Sequence, residues 1–250
     1  MTLPEFFADH PKVAVAFSGG VDSAYLLYAA SKYAKELRAY YVKSAFQPQF
    51  ELEDALRLAG QLQVAMQVIP LDILSQEEVA ANPKNRCYYC KKRIFGAIAR
   101  QAEADGFSLL LDGTNASDEE GDRPGMQALK ELSVLSPLRL CGLKKVEIRL
   151  LSKEAGLFTW DKPSYACLAT RIPTGQRIDA RLLARTEEAE NFLSSLGFRG
   201  FRVRTAGETA KIQLREAQFP LLVENRARIF EKLSGQYKGV CLDLEARDEQ

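Results

Sequence analysis

Val13-Ala14-Val15-Ala16-Phe17-Ser18-Gly19-Gly20-Val21-Asp22-Ser23 is the stretch that decides the fold. The apolar run reads as a short buried strand, the glycine pair as a tight turn, and Asp22 to Leu26 as the opening turn of a helix. Glycine lets the backbone turn and approach an anion without a Cβ in the way. The first helical turn leaves its N–H groups unpaired and adds the positive end of the helix dipole. This order of elements presents backbone donors to a phosphate. The lysine of G-x-x-x-x-G-K-[ST] is missing and so is any G-x-G-x-x-G, which excludes the Walker loop and the dinucleotide fingerprint.

Outward from this stretch, strand-like runs at Val13–Phe17, Ala39–Lys43, Ala65–Pro70 and Ser108–Asp112 alternate with helical spacing in Asp22–Lys35, Glu51–Leu62 and Tyr89–Ala104. The alternation predicts an α/β fold, a parallel sheet with helices on both faces. Ligands of such sheets sit at the carboxyl ends of the strands, where Ser18–Ser23 and Asp112-Gly113-Thr114-Asn115 both fall. Asp118–Pro124 reads as an exposed loop and Lys144–Gly156 as a helix stopped by its glycine. Leu157–Gly175 is irregular, with Pro163 and Pro173, and is expected to serve as both linker and functional loop. Beyond it come a helix over Asp179–Leu196, a hairpin of Phe201–Thr205 and Ala210–Leu214 around Gly207, a helix over Phe219–Leu233 and a strand over Gly239–Leu244. The expected domains are 1–157 (nucleotide-facing), 158–178 (active-site loop and linker carrying Cys167) and 179–250, a smaller α+β unit.

The chain has 250 residues, with 34 basic against 33 acidic, so no general nucleic-acid or membrane-surface binder is indicated. No apolar stretch approaches the roughly 20 residues that span a bilayer. Met1 to Pro11 carries Glu5 and Asp9 and does not read as a signal peptide, so a cytoplasmic location is expected. His10 is the single histidine and no nucleophile elbow accompanies it, which argues against serine–histidine or cysteine–histidine catalysis.

Five cysteines do not make a disulfide scaffold here. Cys87-Tyr88-Tyr89-Cys90 is placed between a strand and a helix and flanked by Arg86, Lys91, Lys92 and Arg93, a setting that favours thiolate over thiol. Cys167 lies in the long loop. Three thiolates could hold a [4Fe–4S] cluster with one iron open to a sulfide, although such sites normally use four cysteines. A redox dithiol, a zinc site and a plain structural role stay open. Cys141 and Cys241 read as small buried hydrophobes.

The strand, Ser-Gly-Gly-Val-Asp-Ser and helix together resemble the PP-loop of ATP pyrophosphatases, which hold pyrophosphate while AMP passes to a substrate. Five further segments join it: Arg86-Cys87-Tyr88-Tyr89-Cys90-Lys91, Leu111-Asp112-Gly113-Thr114-Asn115, Arg123-Pro124-Gly125, Trp160-Asp161-Lys162-Pro163-Ser164 and Cys167-Leu168-Ala169-Thr170-Arg171-Ile172-Pro173-Thr174-Gly175. In this order they resemble the LarE family over almost the whole chain, including Val203-Arg204. The resemblance implies an ATP-dependent sulfur transferase that adenylates a carboxylate of pyridinium-3,5-biscarboxylic acid mononucleotide and replaces oxygen by sulfur. The thiocarboxylate product leads to the nickel-pincer cofactor of lactate racemase. The chemistry is sound, since a carboxylate has no good leaving group whereas an acyl-adenylate expels AMP. Some members carry only the loop cysteine and sacrifice its sulfur. Cys87 and Cys90 beside Cys167 instead resemble the cluster-bearing form. The implied cofactors are ATP, Mg²⁺ and a [4Fe–4S] cluster. The implied partners are a nicotinate-derived mononucleotide and a sulfide donor, within a homo-oligomer and without membrane or nucleic acid.

Ser18, Gly19, Gly20, Val21, Asp22 and Ser23 are expected to bind the ATP phosphates, with Asp22 as the Mg²⁺ contact because a hard cation takes carboxylate oxygen. Ser44 is placed toward the adenine. Gly113, Thr114 and Asn115 face the nucleotide, with Asp118 as a further magnesium- or phosphate-side group. By resemblance, Arg171 neutralises charge during transfer, and Glu190, Arg202 and Arg204 form a second subsite for an anion, substrate or metal. Each has a plainer reading: an N-cap for Asp22, a turn cap for Asn115, surface charge for the rest. A PP-loop tRNA-thiolating enzyme, an ammonia-using synthetase of the NAD or GMP type and an ATP sensor without turnover are the competing functions. The balanced charge argues against the first, and the three placed cysteines argue against the second.

Overall fold

The structure, a computed structural model, describes residues 1–118 and 124–247. Two compact units emerge, one of Met1–Ile73 with Asn85–Lys162, the other of Leu74–Lys84 with Pro163–Gln250. In the first, α1 (Leu3–Asp9) leads into β1 (Lys12–Ala16), α2 (Val21–Tyr33), β2 (Glu36–Lys43), α3 (Gln49–Gln61) and β3 (Met66–Pro70). After α4 (Glu77–Ala80), which belongs to the second unit, the first resumes with α5 (Arg86–Ala104) and β4 (Leu110–Leu111). It closes with α6 (Pro124–Glu131), α7 (Pro137–Leu140) and α8 (Lys145–Glu154).

The four strands are parallel in the order β3-β2-β1-β4. Alternation along β1 explains the double cover. Val13 and Val15 pack with Leu26 and Leu27 of α2, while Ala14 and Ala16 pack with Ile98 and Ala102 of α5. Tyr41 and Tyr40 of β2 divide the same way. The chain runs outward from β1 through β2 to β3, then returns to the other side of β1 for β4. The topological switch point therefore falls between β1 and β4, where open α/β sheets bind ligands.

The second unit continues with α9 (Ala180–Ser195), β5 (Arg202–Ala206), β6 (Thr209–Gln213), α10 (Phe219–Glu224), α11 (Arg226–Ser234) and β7 (Gly239–Leu242). β5 and β6 form the antiparallel hairpin, and β7 adds to β6 in parallel. Phe198, Phe201, Val203, Ile212 and Ile229 build its own core. Residues 74–84 join this unit through Asn82, whose amide donates to Pro173 O (2.8 Å) and Gln176 O (3.1 Å). Ile178 N–H also reaches Ala80 O (2.8 Å).

Three expectations need correction. The helix read over Phe219–Leu233 is two helices, broken where the Asn225 amide donates to Leu221 O (3.0 Å) and competes with the backbone ladder. The helix expected from Tyr89 starts three residues earlier, so Cys87 joins Cys90 inside α5 and does not precede it. Cys241 is exposed, because Val240 and Leu242 on either side of it pack on the core and the alternation of β7 sends Cys241 to the other face, whereas Cys141 is half-buried against the first core and its thiol is pushed up by burial. Among the described residues no helix is long and apolar enough to cross a membrane.

Candidate functional site

β1 delivers the phosphate-loop candidate to the switch point. Phe17 N–H still bonds Tyr40 O (2.9 Å), after which the chain leaves the sheet. Ser18 and Ser23 hydroxyls meet at 2.9 Å, and Ser23 Oγ also donates to Gly20 O (3.1 Å), which fixes the loop across its own width. Gly20 is the N-cap of α2 and supplies no side-chain cap, so the helix opens with donors uncovered. Gly19 adopts φ +77°, and a Cβ there would sit 3.0 Å from Glu51 O. Both the turn and the neighbour require glycine.

The loop is braced by Lys162. Its ammonium donates to Gly19 O (3.2 Å), Glu51 Oε2 (2.9 Å) and Asp54 Oδ2 (2.6 Å). Burial pushes the Glu51 carboxyl up, opposed by the Lys162 charge. On the β4 side, a Cβ on Gly113 would lie 2.7 Å from Ser23 N and 2.9 Å from Ser23 Cα, so this glycine lets the two loops touch backbone to backbone. Asp112 accepts from Thr114 Oγ1 and Ser136 Oγ, each at 2.5 Å. Asn115 is buried, and its Oδ1 caps the turn by accepting Ser117 N–H (2.7 Å), while Asp118 Oδ2 accepts Asn115 N–H (3.0 Å). Ser44, at the end of β2, is buried and donates to Gln47 Oε1 (2.7 Å). Gly125 admits the Lys91 side chain, whose Cδ would be 2.8 Å from a Cβ, whereas its motif neighbour Arg123 lies outside the described residues.

Asp22, in the first turn of α2, has two different oxygens. Oδ2 accepts from Lys145 Nζ at 2.6 Å, and Oδ1 is buried with no hydrogen-bond partner. A buried, unsatisfied carboxylate oxygen beside a phosphate-type loop fits a hard divalent cation, so Mg²⁺ would be held by Asp22.

Cys87 and Cys90 stand one helical turn apart in the first two turns of α5, on one face. Cys87 is exposed and Cys90 half-buried. Among the described residues no three or more His, Cys, Asp or Glu side chains are grouped so as to hold a metal ion.

In the second unit, Cys167 precedes the short turn Leu168–Arg171. Arg171 beneath it is fully buried. Its guanidinium donates to Glu190 Oε1 (2.8 Å) and Oε2 (3.0 Å), and to Ala166 O (2.6 Å), Cys167 O (3.2 Å) and Thr170 Oγ1 (2.8 Å). Glu190 also accepts Tyr165 O–H (2.6 Å) and Val203 N–H (2.9 Å). Burial, with Glu190 opposite, pushes the Tyr165 phenol up and keeps it a donor. Arg202 donates to Ser164 O (2.9 Å) and Arg204 to Thr170 O (2.8 Å), so the cysteine loop is tied down at both ends. Burial and the neighbouring Arg171 and Arg247 charges push Arg202 down to about 10.

A family model described as queuosine biosynthesis protein QueC matches residues 12–88, from β1 to the first cysteine. An uncharacterized protein of Synechocystis is 34% identical over 97% of this chain and 92% of its own length. The pyridinium-3,5-bisthiocarboxylic acid mononucleotide synthase of Lactiplantibacillus plantarum is 32% identical over 97% of this chain and 89% of its own. The chain belongs to the LarE family. It is accordingly an ATP-using sulfur transferase built on a PP-loop. A tRNA-specific 2-thiouridylase of Thermotoga petrophila is 27% identical over only 58% of the chain.

The residues that sequence reasoning missed in this LarE-family chain are Lys145, Lys162 and Glu51. Lys162 stood within a quoted motif, yet its partners lie more than a hundred residues away in sequence, at Glu51 and Asp54. Lys145 and Asp22 are likewise remote in sequence. For Glu51, an acidic residue at a buried position of α3 was the available signal.

Proposed function

We propose that this enzyme adenylates a carboxylate of pyridinium-3,5-biscarboxylic acid mononucleotide and exchanges its oxygen for sulfur. The likeness to the bisthiocarboxylic acid mononucleotide synthase over 97% of this chain and 89% of that protein carries this reading. The uncapped start of α2, the Ser18–Ser23 loop and the Gly113 approach support ATP as the activating substrate. The carboxylate oxygen attacks the α-phosphorus, pyrophosphate leaves, and the acyl-adenylate then gives up AMP to a sulfur nucleophile. Asp22 would hold Mg²⁺, which supplies charge neutralisation at the phosphates.

Residues 158–178 serve as the sulfur-bearing loop, between an adenylating domain over 1–157 and an anion-binding domain over 179–250. Cys87, Cys90 and Cys167 would hold a [4Fe–4S] cluster. Thiols one turn apart at the start of a helix suit two of its irons. When bound, the cluster supplies a transferable sulfide. Arg171 acts as a positioning residue that fixes the Cys167 backbone, and Glu190, Arg202 and Arg204 shape the subsite for the substrate phosphate.

Anaerobic reconstitution with iron and sulfide, followed by ATP and the biscarboxylic mononucleotide, tests the whole reading. The expected outcome is thiocarboxylate and pyrophosphate over several turnovers, with iron content and transfer both lost in Cys87→Ala. Protein that loses the sulfur of Cys167 once per product would replace the cluster route with sacrificial transfer. Absence of any thiolated nucleotide would overturn the substrate assignment.

A further inference from the structure

Lys145 plays no part in the motifs above, yet its ammonium lies 2.6 Å from a carboxylate in the first turn of the phosphate-loop helix. We propose that Lys145 is the cation that grips the β- and γ-phosphates of ATP, parked on Asp22 until the nucleotide arrives. This rests on the ATP reading of the loop, and not on the carboxylate substrate or on any cluster.

Three observations lead there. First, the loop itself carries no lysine, so the leaving pyrophosphate needs its positive charge from another segment. In the Walker loop a lysine reaches those same phosphates from within the loop. Second, the root of Lys145 is fixed while its tip is not. Its N–H donates to Ser117 Oγ (3.0 Å), and Lys144 N–H donates to Glu147 Oε2 (2.8 Å), which locks the start of α8. The side chain is one-third exposed, so the ammonium can swing on its four-carbon stem. Third, Asp22 is a poor neighbour for phosphate unless neutralised. Lys145 neutralises it in the free chain. A magnesium ion on Asp22 would release the ammonium toward the nucleotide.

In the adenylation step an acceptor oxygen bonds to the α-phosphorus, and the bond from that phosphorus to the α,β-bridging oxygen breaks. The electron pair leaves with pyrophosphate. Lys145 stabilises that charge and keeps its proton.

Calorimetric titration of the full chain with ATP, AMP and inorganic pyrophosphate separates gripping from mere neutralisation. Lys145→Met is expected to weaken ATP and pyrophosphate about tenfold to a hundredfold, the range for a lost charge-assisted hydrogen bond, with AMP within about twofold of wild type. Lys145→Arg should retain most of the affinity. The double variant Asp22→Asn/Lys145→Met, read against Asp22→Asn alone, decides the matter, since both lack the carboxylate that would hold Mg²⁺ and neither leaves an unpaired carboxylate to disturb folding. Pyrophosphate binding weaker in the double variant than in Asp22→Asn supports the grip. Equal affinity in the two means that Lys145 only offsets Asp22 and overturns it. Equal weakening of AMP would overturn it too, by pointing to a distorted loop. Wild-type protein that binds no ATP would instead sink the reading of the loop itself.

Discussion

Gly113→Ala probes the backbone contact on which the proposed nucleotide site depends. Gly113 has no left-handed φ, so alanine is permitted by its backbone and only the neighbour objects. The added methyl would lie 2.7 Å from Ser23 N, 2.9 Å from Ser23 Cα and 3.1 Å from Ser23 Cβ, against 3.4 Å or more for ordinary contact. The nearest of these is backbone and cannot rotate away. The first turn of α2 or the loop after β4 must therefore move by about half an ångström or more. Overpacking of this kind costs about 1–3 kcal/mol, which for a chain of this size is a fall in Tm of roughly 2–4 °C per kcal/mol. The functional loss should be larger. Ser23 N–H is among the donors that open α2, and misplacing a binding group by about 1 Å costs on the order of a hundredfold in rate. Thermal melting with and without ATP, beside pyrophosphate release under saturating substrate, reads the two effects separately. Gly60→Ala is the control, since no atom lies within 4 Å of its Cβ position in α3. It should gain about 0.5–1 kcal/mol and bind ATP unchanged. A Gly113→Ala protein with wild-type melting and wild-type pyrophosphate release would refute the contact.

Lys162→Met leaves buried Glu51 and half-buried Asp54 without their cation and should cost about 3 kcal/mol near neutral pH. The sign follows from Glu51. Burial raises its folded value, and losing Lys162 raises it further, so the variant approaches wild-type stability at low pH and falls behind as pH rises through that folded value. Denaturant melts from pH 4 to 8 check this, and a pH-independent deficit would contradict it. Glu190→Gln should cost about 3 kcal/mol by stranding buried Arg171, and Tyr165→Phe about 1 kcal/mol by removing one donor. Tyr165→Phe equal in cost to Glu190→Gln would deny Arg171 the central place. Arg202, held down to about 10, binds its proton against burial and two cationic neighbours, so an anion beside it relieves the charge. Inorganic phosphate should raise Tm at pH 8, with a smaller increment in Arg202→Met and a fading one above about pH 10. An increment indifferent to that substitution would remove Arg202 from the subsite.

Most of the sheet was legible because its signals are local. β1, β2 and β3 carry apolar runs of strand length bounded by turns, and the helices between them keep a 3.6-residue apolar period. Where an element departs from the sequence reading, a competing contact decides. The strand expected over Ser108–Asp112 shortens to Leu110–Leu111 because Asp112 N–H turns to Leu135 O (2.9 Å) instead of continuing along β1. The helix expected from Tyr89 begins at Arg86, a buried residue whose guanidinium lies 6.0 Å from the Phe46 ring centroid, a contact from another segment that no local pattern shows. The sequence reading assigns no element to α1, although Thr2 and Glu5 form its capping box.

For the site, the division is between groups that meet a ligand and groups that hold those groups still. The first set is written in short motifs, since a phosphate loop needs its glycines and hydroxyls adjacent in sequence. The second joins remote segments: Lys162 to Glu51 and Gly19, Lys145 to Asp22, Glu190 to Arg171 and Val203. No periodicity predicts such pairs, because a lysine near a carboxylate is indistinguishable in sequence from solvated surface charge. Arg171 shows how far the distinction reaches. Its place after Cys167 suggests a group waiting for substrate, whereas its buried fork is spent on Glu190 and on carbonyls of the cysteine loop. A guanidinium so engaged affects the sulfur by fixing the backbone that carries it. Loss of Arg171 should therefore loosen Cys167 before it changes any charge at the reacting carbonyl.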